Sequence, residues 1–133
     1  MIVADTNLIA YFLIPGPFTA QAEAVFERDR LWAAPLLWRS EFRNVLWLYV
    51  RSGEKQLADA LQAMSAAEAL IRGREFTVES SPVLALAASS NCSPYDCEFV
   101  HLALTEGCQL VTADAKLLAA FPGTAVSLEE FAR

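Results

Sequence analysis

At 133 residues, with 55% hydrophobic and 20% charged residues and a formal net charge of −6, the chain has the size of a single domain, residues 1–133, able to bury its own core. Its mean hydropathy of +0.32 is high for so small a chain, yet its longest apolar runs, Leu8 to Ile14 and Val45 to Val50, fall far short of the ~20 residues of a membrane helix. Three cysteines, odd in number and without CxxC spacing, point to neither a disulfide framework nor a zinc site, and read as small buried thiols in a reducing cytoplasm. Met1-Ile2-Val3-Ala4 runs directly into Asp5 with no basic segment or cleavage site, so no signal peptide is expected.

In chain order, Ile2-Val3-Ala4 reads as a short apolar strand, followed by a helix from Thr6 to Leu13 that Pro15-Gly16-Pro17 stops. Phe18 to Arg30 has helical spacing at Ala22, Val25 and Phe26, and Leu31 to Ala34 reads as a second strand. Pro35 fits a first helical position, and that helix runs to about Ser52, where Gly53 can cap it. A further amphipathic helix places Leu57, Leu61, Met64, Ala67 and Ile71 on one side and ends near Gly73. Phe76 to Val78 reads as a strand, Pro82 to Ser89 as a short helix, and Ser93-Pro94 opens a helix that Gly107 ends. Leu110 to Thr112, Ala115 to Ala120, Ala125-Val126 and Leu128 to Phe131 complete the chain as strand, helix, strand and helical turn. Strands alternating with helices predict an α/β fold with a central parallel sheet covered on both faces. In such sheets ligands bind beyond the carboxyl ends of the strands, which is where Asp5 and Asp114 fall.

Four acids stand out: Asp5, Glu41, Asp96 and Asp114. Glu41 lies in the middle of a helix and shares its face with Leu37, Trp38, Val45 and Leu48. Burying an unpaired charge is costly, and a cation shared with other carboxylates removes that cost. Each of the other three has a structural explanation of its own. Asp5 and Asp114 can cap the helices that follow them, and Asp96 stands three residues after Ser93 in a near capping box. Asp96 also shares a face with Phe99, Val100 and Ala103, so two helices each bring one acid to an apolar stripe and two strand ends supply two more. One shared metal site accounts for all four together. Glu98 projects nearly opposite Asp96 and reads as solvated or supporting, and His101 falls off the Asp96 face. Arg39 and Arg43 read as a solvated pair away from Glu41, and Trp38 and Trp47 as packing or interface residues. The net negative charge runs against the usual basic footprint of a nucleic-acid binder, although the acid cluster accounts for part of it and ten basic residues remain.

Four segments carry a resemblance to a known family: Val3-Ala4-Asp5-Thr6-Asn7, Ser40 to Leu46, Ser93 to Ala103 and Gln109 to Leu117. In this order and over this length, the chain resembles the PIN-domain ribonucleases, most closely the VapC-like toxins of type II toxin–antitoxin modules. The resemblance implies a three-layer α/β/α fold, with Asp5, Glu41, Asp96 and Asp114 binding Mg²⁺ or Mn²⁺ and Thr6, Asn7 and Thr112 supporting the site by hydrogen bonding. Cys97 and Phe99 stand where the family often has alanine and tyrosine, and neither is a proposed ligand.

Carboxylate-only ligand sets suit hard divalent ions, and an ion of this kind can generate hydroxide from water near neutral pH to attack a phosphodiester. The expected activity is therefore endoribonuclease cleavage of RNA. A small VapB-like antitoxin and a homodimeric state are the expected partners, with the surplus apolar surface as the physical motive for both. Two rival readings stand beside it. An aspartyl-phosphate phosphotransfer protein also clusters acids at strand ends, but Asp5-Thr6-Asn7 lacks the second aspartate of that motif and such a scheme has no use for Glu41. The other is a non-catalytic module that keeps the fold, against which the intact acid quartet counts.

Overall fold

A computed structural model of the chain describes every residue from Met1 to Arg133. The first strand, β1 (Ile2–Ala4), leads into helices α1 (Thr6–Leu13) and α2 (Thr19–Arg28), then β2 (Trp32–Pro35). Two long helices follow, α3 (Leu37–Arg51) and α4 (Leu57–Ile71), then β3 (Glu75–Phe76), α5 (Ser80–Ser90) and α6 (Pro94–Glu106). The chain closes with β4 (Leu110–Val111), α7 (Ala115–Ala120), β5 (Ala125–Val126) and α8 (Leu128–Ala132). The sheet order is β3-β2-β1-β4-β5, with every pairing parallel. Val3 pairs with Ala33 on one side and with Leu110 on the other, so β1 is the middle strand. Its three residues are buried, as are all of β2, β4 and β5. Continuous apolar strands of this kind follow from helices covering both faces of a parallel sheet. Strands are added outward from β1 in one direction as β2 and β3 and in the other as β4 and β5. The order therefore reverses between β1 and β4, and a crevice opens beyond their carboxyl ends.

Several expected boundaries shift, for identifiable reasons. Pro35 ends β2 instead of opening a helix: it stands in register with Phe76, and Leu36 N–H donates to the Phe76 carbonyl at 3.0 Å. The third strand is only Glu75–Phe76, shifted one residue earlier than expected, because Ala34 N–H takes the Arg74 carbonyl and sets the register. In α3 the core-facing stripe is Trp38, Phe42 and Leu46. It is offset by one residue from the stripe drawn through Glu41, and Leu48 is exposed. In α4 only Ala60, Ala67 and Ile71 are buried, whereas Leu57 and Leu61 are about three-fifths exposed at 62% and 60%. The first half of that helix has its apolar stripe uncovered. No helix is long and apolar enough to cross a membrane.

Candidate functional site

The acid cleft is assembled from four separate segments. Asp5 follows β1 and stands at the start of α1, but its side chain makes no capping hydrogen bond there. Instead Asp5 Oδ2 accepts a 2.5 Å hydrogen bond from the hydroxyl of Thr112, a fully buried residue just after β4. The same Thr112 oxygen accepts the Asp114 backbone N–H at 3.0 Å. One buried hydroxyl thus ties the ends of the two strands that flank the reversal in sheet order. Across the cleft, Thr6 Oγ1 donates to Glu41 Oε1 at 2.8 Å, joining the first turn of α1 to the middle of α3.

Asp114 caps α7 in full, its Oδ1 accepting from Lys116 N–H at 2.8 Å and Leu117 N–H at 3.1 Å. Cap and cleft residue are therefore compatible roles, since one carboxylate oxygen serves each. Asp96 is placed by the start of α6. Ser93 Oγ accepts the Asp96 N–H at 3.1 Å, and Pro94 occupies the first turn, where its missing N–H costs nothing. Cys92 and Cys97, just before the cap and one turn into the helix, are both buried, with Cys97 Sγ 3.9 Å from the Cys92 carbonyl oxygen. This is the arrangement of a hydrophobic staple, and it fixes the angle at which α6 enters. No reciprocal bond from the Asp96 carboxylate to Ser93 N–H forms, which leaves the carboxylate facing the cleft.

The resulting open cleft, about 450 Å³, is lined by Asp5, Thr6, Asn7, Glu41, Asp96 and Asp114. Six of the seven residues singled out in the sequence thus line one space, and Thr112 lies buried beneath it. The other lining residues are Leu37 and Val45, expected on the face of Glu41, and Ser40, Asn44 and Tyr95, which sequence reasoning passed over. On α3 they follow from helical spacing around Glu41: Leu37, Asn44 and Val45 stand at i−4, i+3 and i+4. Of the stripe expected to face the core, Leu37 and Val45 therefore form part of the cleft wall, whereas Trp38 is in the core and Leu48 is exposed.

Burial raises the pKa of Asp5, with the Thr112 hydrogen bond partly offsetting it and the negative charge of Asp96 adding to it. Glu41 is raised first by burial and then by Asp5, Asp96 and Glu98, against the Thr6 hydrogen bond. Asp96 is raised by burial and by Asp114, with Ser93 and Lys116 pulling the other way. Glu98, facing away from Asp96 into an adjacent hollow, is raised by burial alone. Like charges held together out of water call for a cation. The donor set is all oxygen, which fits Mg²⁺ or Mn²⁺ and not a soft metal. No group of three or more of these side chains is already drawn close enough to hold an ion, so an ion seated here would be reached through side-chain rotation or through retained waters.

Arg39 does not belong to a solvated pair. Its guanidinium makes two 2.6 Å hydrogen bonds to Glu75 and one to Glu68, and Trp38 Nε1 donates to Glu75 at 3.0 Å. This network holds α3 to α4 and to β3 and keeps Arg39 out of the cleft. Arg43 is exposed, in keeping with its expected place.

The acidic cleft of this α/β domain opens at the switch point of its sheet, where ligands bind in such folds. The profile of the PIN domain family matches residues 2–121, and the chain belongs to that family. PIN domains are in general nucleases, which places the chain among nucleic-acid hydrolases. No curated protein matches it. Among solved structures it is similar to PAE2754 from Pyrobaculum aerophilum, at 21% identity and a TM-score of 0.78, over 98% of this chain and 85% of that one. It is similar to a chain of a toxin-antitoxin complex from Klebsiella pneumoniae, at 20% identity and a TM-score of 0.68, over 96% of this chain and 98% of that one. FitAcB from Neisseria gonorrhoeae aligns at 17% identity and a TM-score of 0.71, over 97% of this chain and 99% of that one. At these identities the likeness is one of fold.

Proposed function

We propose that the chain is a Mg²⁺- or Mn²⁺-dependent endoribonuclease acting as the toxin of a type II toxin–antitoxin pair. The observation that carries the nuclease reading is the convergence of Asp5, Glu41, Asp96 and Asp114 from four segments on one cleft at the sheet switch point. A hard divalent ion bound there supplies charge neutralisation for the phosphodiester and lowers the pKa of the attacking water. The chain's own part is positional. Thr112 holds Asp5, Thr6 holds Glu41, the start of α6 holds Asp96, and Asn7 at the rim offers an amide to the scissile phosphate.

The toxin half draws on a second surface. Leu46, Trp47, Val50, Leu57, Leu61 and Met64 line an apolar groove of about 210 Å³ between α3 and α4. Such a groove suits an amphipathic partner helix, and an acid cleft invites a partner's Arg or Lys. A solved structure that is a toxin-antitoxin complex aligns over nearly the whole of this chain, which supports a VapB-like antitoxin as that partner. Exposed Leu84 and Leu104, at 60% and 52%, support a homodimer formed through the α5–α6 side. Partner-free protein is expected to cleave structured RNA with Mg²⁺ or Mn²⁺ and to stop in EDTA, and cleavage undiminished by chelation would overturn the mechanism. Co-expression with an adjacent small gene is expected to rescue growth and to yield a co-purifying pair. Light scattering at micromolar concentration is expected to give the mass of a dimer.

A further inference from the structure

A second cavity adjoins the acid cleft and has a different chemistry. It lies between α1, the Pro15-Gly16-Pro17-Phe18 turn and the end of α3, and has a volume of about 260 Å³. It shares Asn7 and Val45 with the cleft, so the two are neighbours. Tyr11, Phe18 and Tyr49 supply three aromatic rings to its wall, and no Lys, Arg, Asp or Glu lines it. Tyr11 and Phe18 pair with ring centroids 4.8 Å apart, and Phe18 stays 47% exposed.

The shelf is held in place. Thr19 Oγ1 accepts Gly16 N–H at 3.0 Å and donates to the Tyr11 carbonyl at 2.9 Å, which pins the turn between two prolines against α1. A cavity without a cationic side chain lacks the usual anchor for phosphate or carboxylate groups, whereas aromatic faces stack with flat, neutral rings. From these features we propose that this cavity is a nucleobase subsite, taking the base next to the phosphate held over Asp5 and Asp96. The inference rests on the nuclease reading above and deepens it by naming where the substrate's base sits. Uniform stacking on aromatic rings tolerates any base. The cavity would therefore favour an unpaired nucleotide over a base-paired one and would prefer strongly stacking purines.

The test uses the full chain, freed of partner, and a single-stranded RNA pool of random sequence with Mn²⁺, with cut ends mapped by sequencing. Wild-type protein is expected to show a purine bias at one position flanking the cut. Phe18→Leu and Tyr49→Leu keep apolar bulk while removing the ring. Each is expected to flatten that bias and to lower kcat/KM by about 5- to 150-fold, the loss of one stacked base. Both variants are to be checked for an unchanged thermal transition, and Tyr49→Phe, which keeps the ring, is expected to restore bias and rate if the fold is intact. Cleavage with unchanged bias and rate in both leucine variants would overturn the subsite and leave the nuclease reading standing. A pool that wild-type protein leaves uncut while it cleaves structured RNA would overturn the subsite alone, and cleavage of neither would overturn both. Variants that cut normally but fail to co-purify with the small partner would assign the cavity to that partner and overturn the proposal.

Discussion

Two clusters of acids lie on either side of α3, and they are held in opposite ways. On one side Glu75 and Glu68 surround Arg39, and the guanidinium holds Glu75 below the usual carboxylate range. On the other, Asp5, Glu41 and Asp96 are pushed above it by burial and by one another. The first cluster is paired within the chain, both of its acids meeting one Arg and Glu75 also accepting from the Trp38 indole. The second carries negative charge with no cationic side chain among the residues that line its cleft. One helix thus separates acids that are paired within the chain from acids that are not, and their pKa values are shifted in opposite directions.

The largest expected effect separates them directly. Glu41→Gln and Asp96→Asn should lower RNA cleavage by more than the ~10–100-fold that follows loss of an outer partner of a metal site. Metal-free melting should stay level or rise, because each change removes one of several like charges and the glutamine oxygen can still accept from Thr6. Lost stability with retained activity would put these acids in the structural class. The reverse pattern is expected for Glu75→Ala. It leaves the buried Trp38 N–H without a partner and Arg39 with Glu68 alone, and should cost about 1–3 kcal/mol in denaturant unfolding. The kcat of that variant should move little.

A smaller effect tests how the site is held. Ser93→Ala removes the cap of α6 and should cost about 0.5–2 kcal/mol of stability. Because Asp96 is the residue whose N–H that cap takes, the loss should also raise the metal concentration needed for half-maximal activity. An unchanged metal requirement would mean that the cap serves the helix alone.

The two clusters also differ in how far they can be read from the sequence. Asp5 and Asp114 were legible because short apolar strands followed by a turn locate strand ends, and Asp96 because a Ser-Pro pair opens its helix. Glu41 was legible as an anomaly of helical spacing, although the helix is rotated so that Trp38, Phe42 and Leu46 take the core and Glu41 the cleft edge. Periodicity gives the face but not which side of the helix is covered, and the exposure of Leu57 and Leu61 in α4 went unseen for the same reason. The Arg39 joint was not legible at all. Its partners are 29 and 36 residues away, and nothing local distinguishes such an arginine from a solvated one. Boundaries failed where sheet register decided them, as at Pro35 and Glu75.

The smallest expected effect is on pH dependence without metal, where the two clusters act in different pH windows. Asp5, Glu41 and Asp96 have folded pKa values raised above their ordinary 3.8, 4.5 and 3.8, so the folded state binds their protons more tightly than the unfolded state does. Their contribution to stability is complete below those ordinary values and is lost as pH rises through the raised ones. Glu75 is lowered from 4.5 by Arg39, so its contribution is present above that value and is lost as pH falls through the lowered one. In EDTA, the melting temperature of the wild-type chain should therefore fall as pH rises through the raised range of the cleft acids, because well above its ordinary 4.5 Glu75 is ionised in both states and offsets nothing there. Removing one cluster at a time exposes the other. Glu75→Ala should leave a chain whose metal-free stability falls as pH rises, and Glu41→Gln should leave one whose decline with rising pH is weakened. Saturating Mn²⁺ should abolish the decline in Glu75→Ala, since a cation bound to ionised carboxylates favours the deprotonated folded state. Parallel pH profiles for the two variants would mean that the acids of the cleft are as fully compensated as those around Arg39, and that no cation is called for.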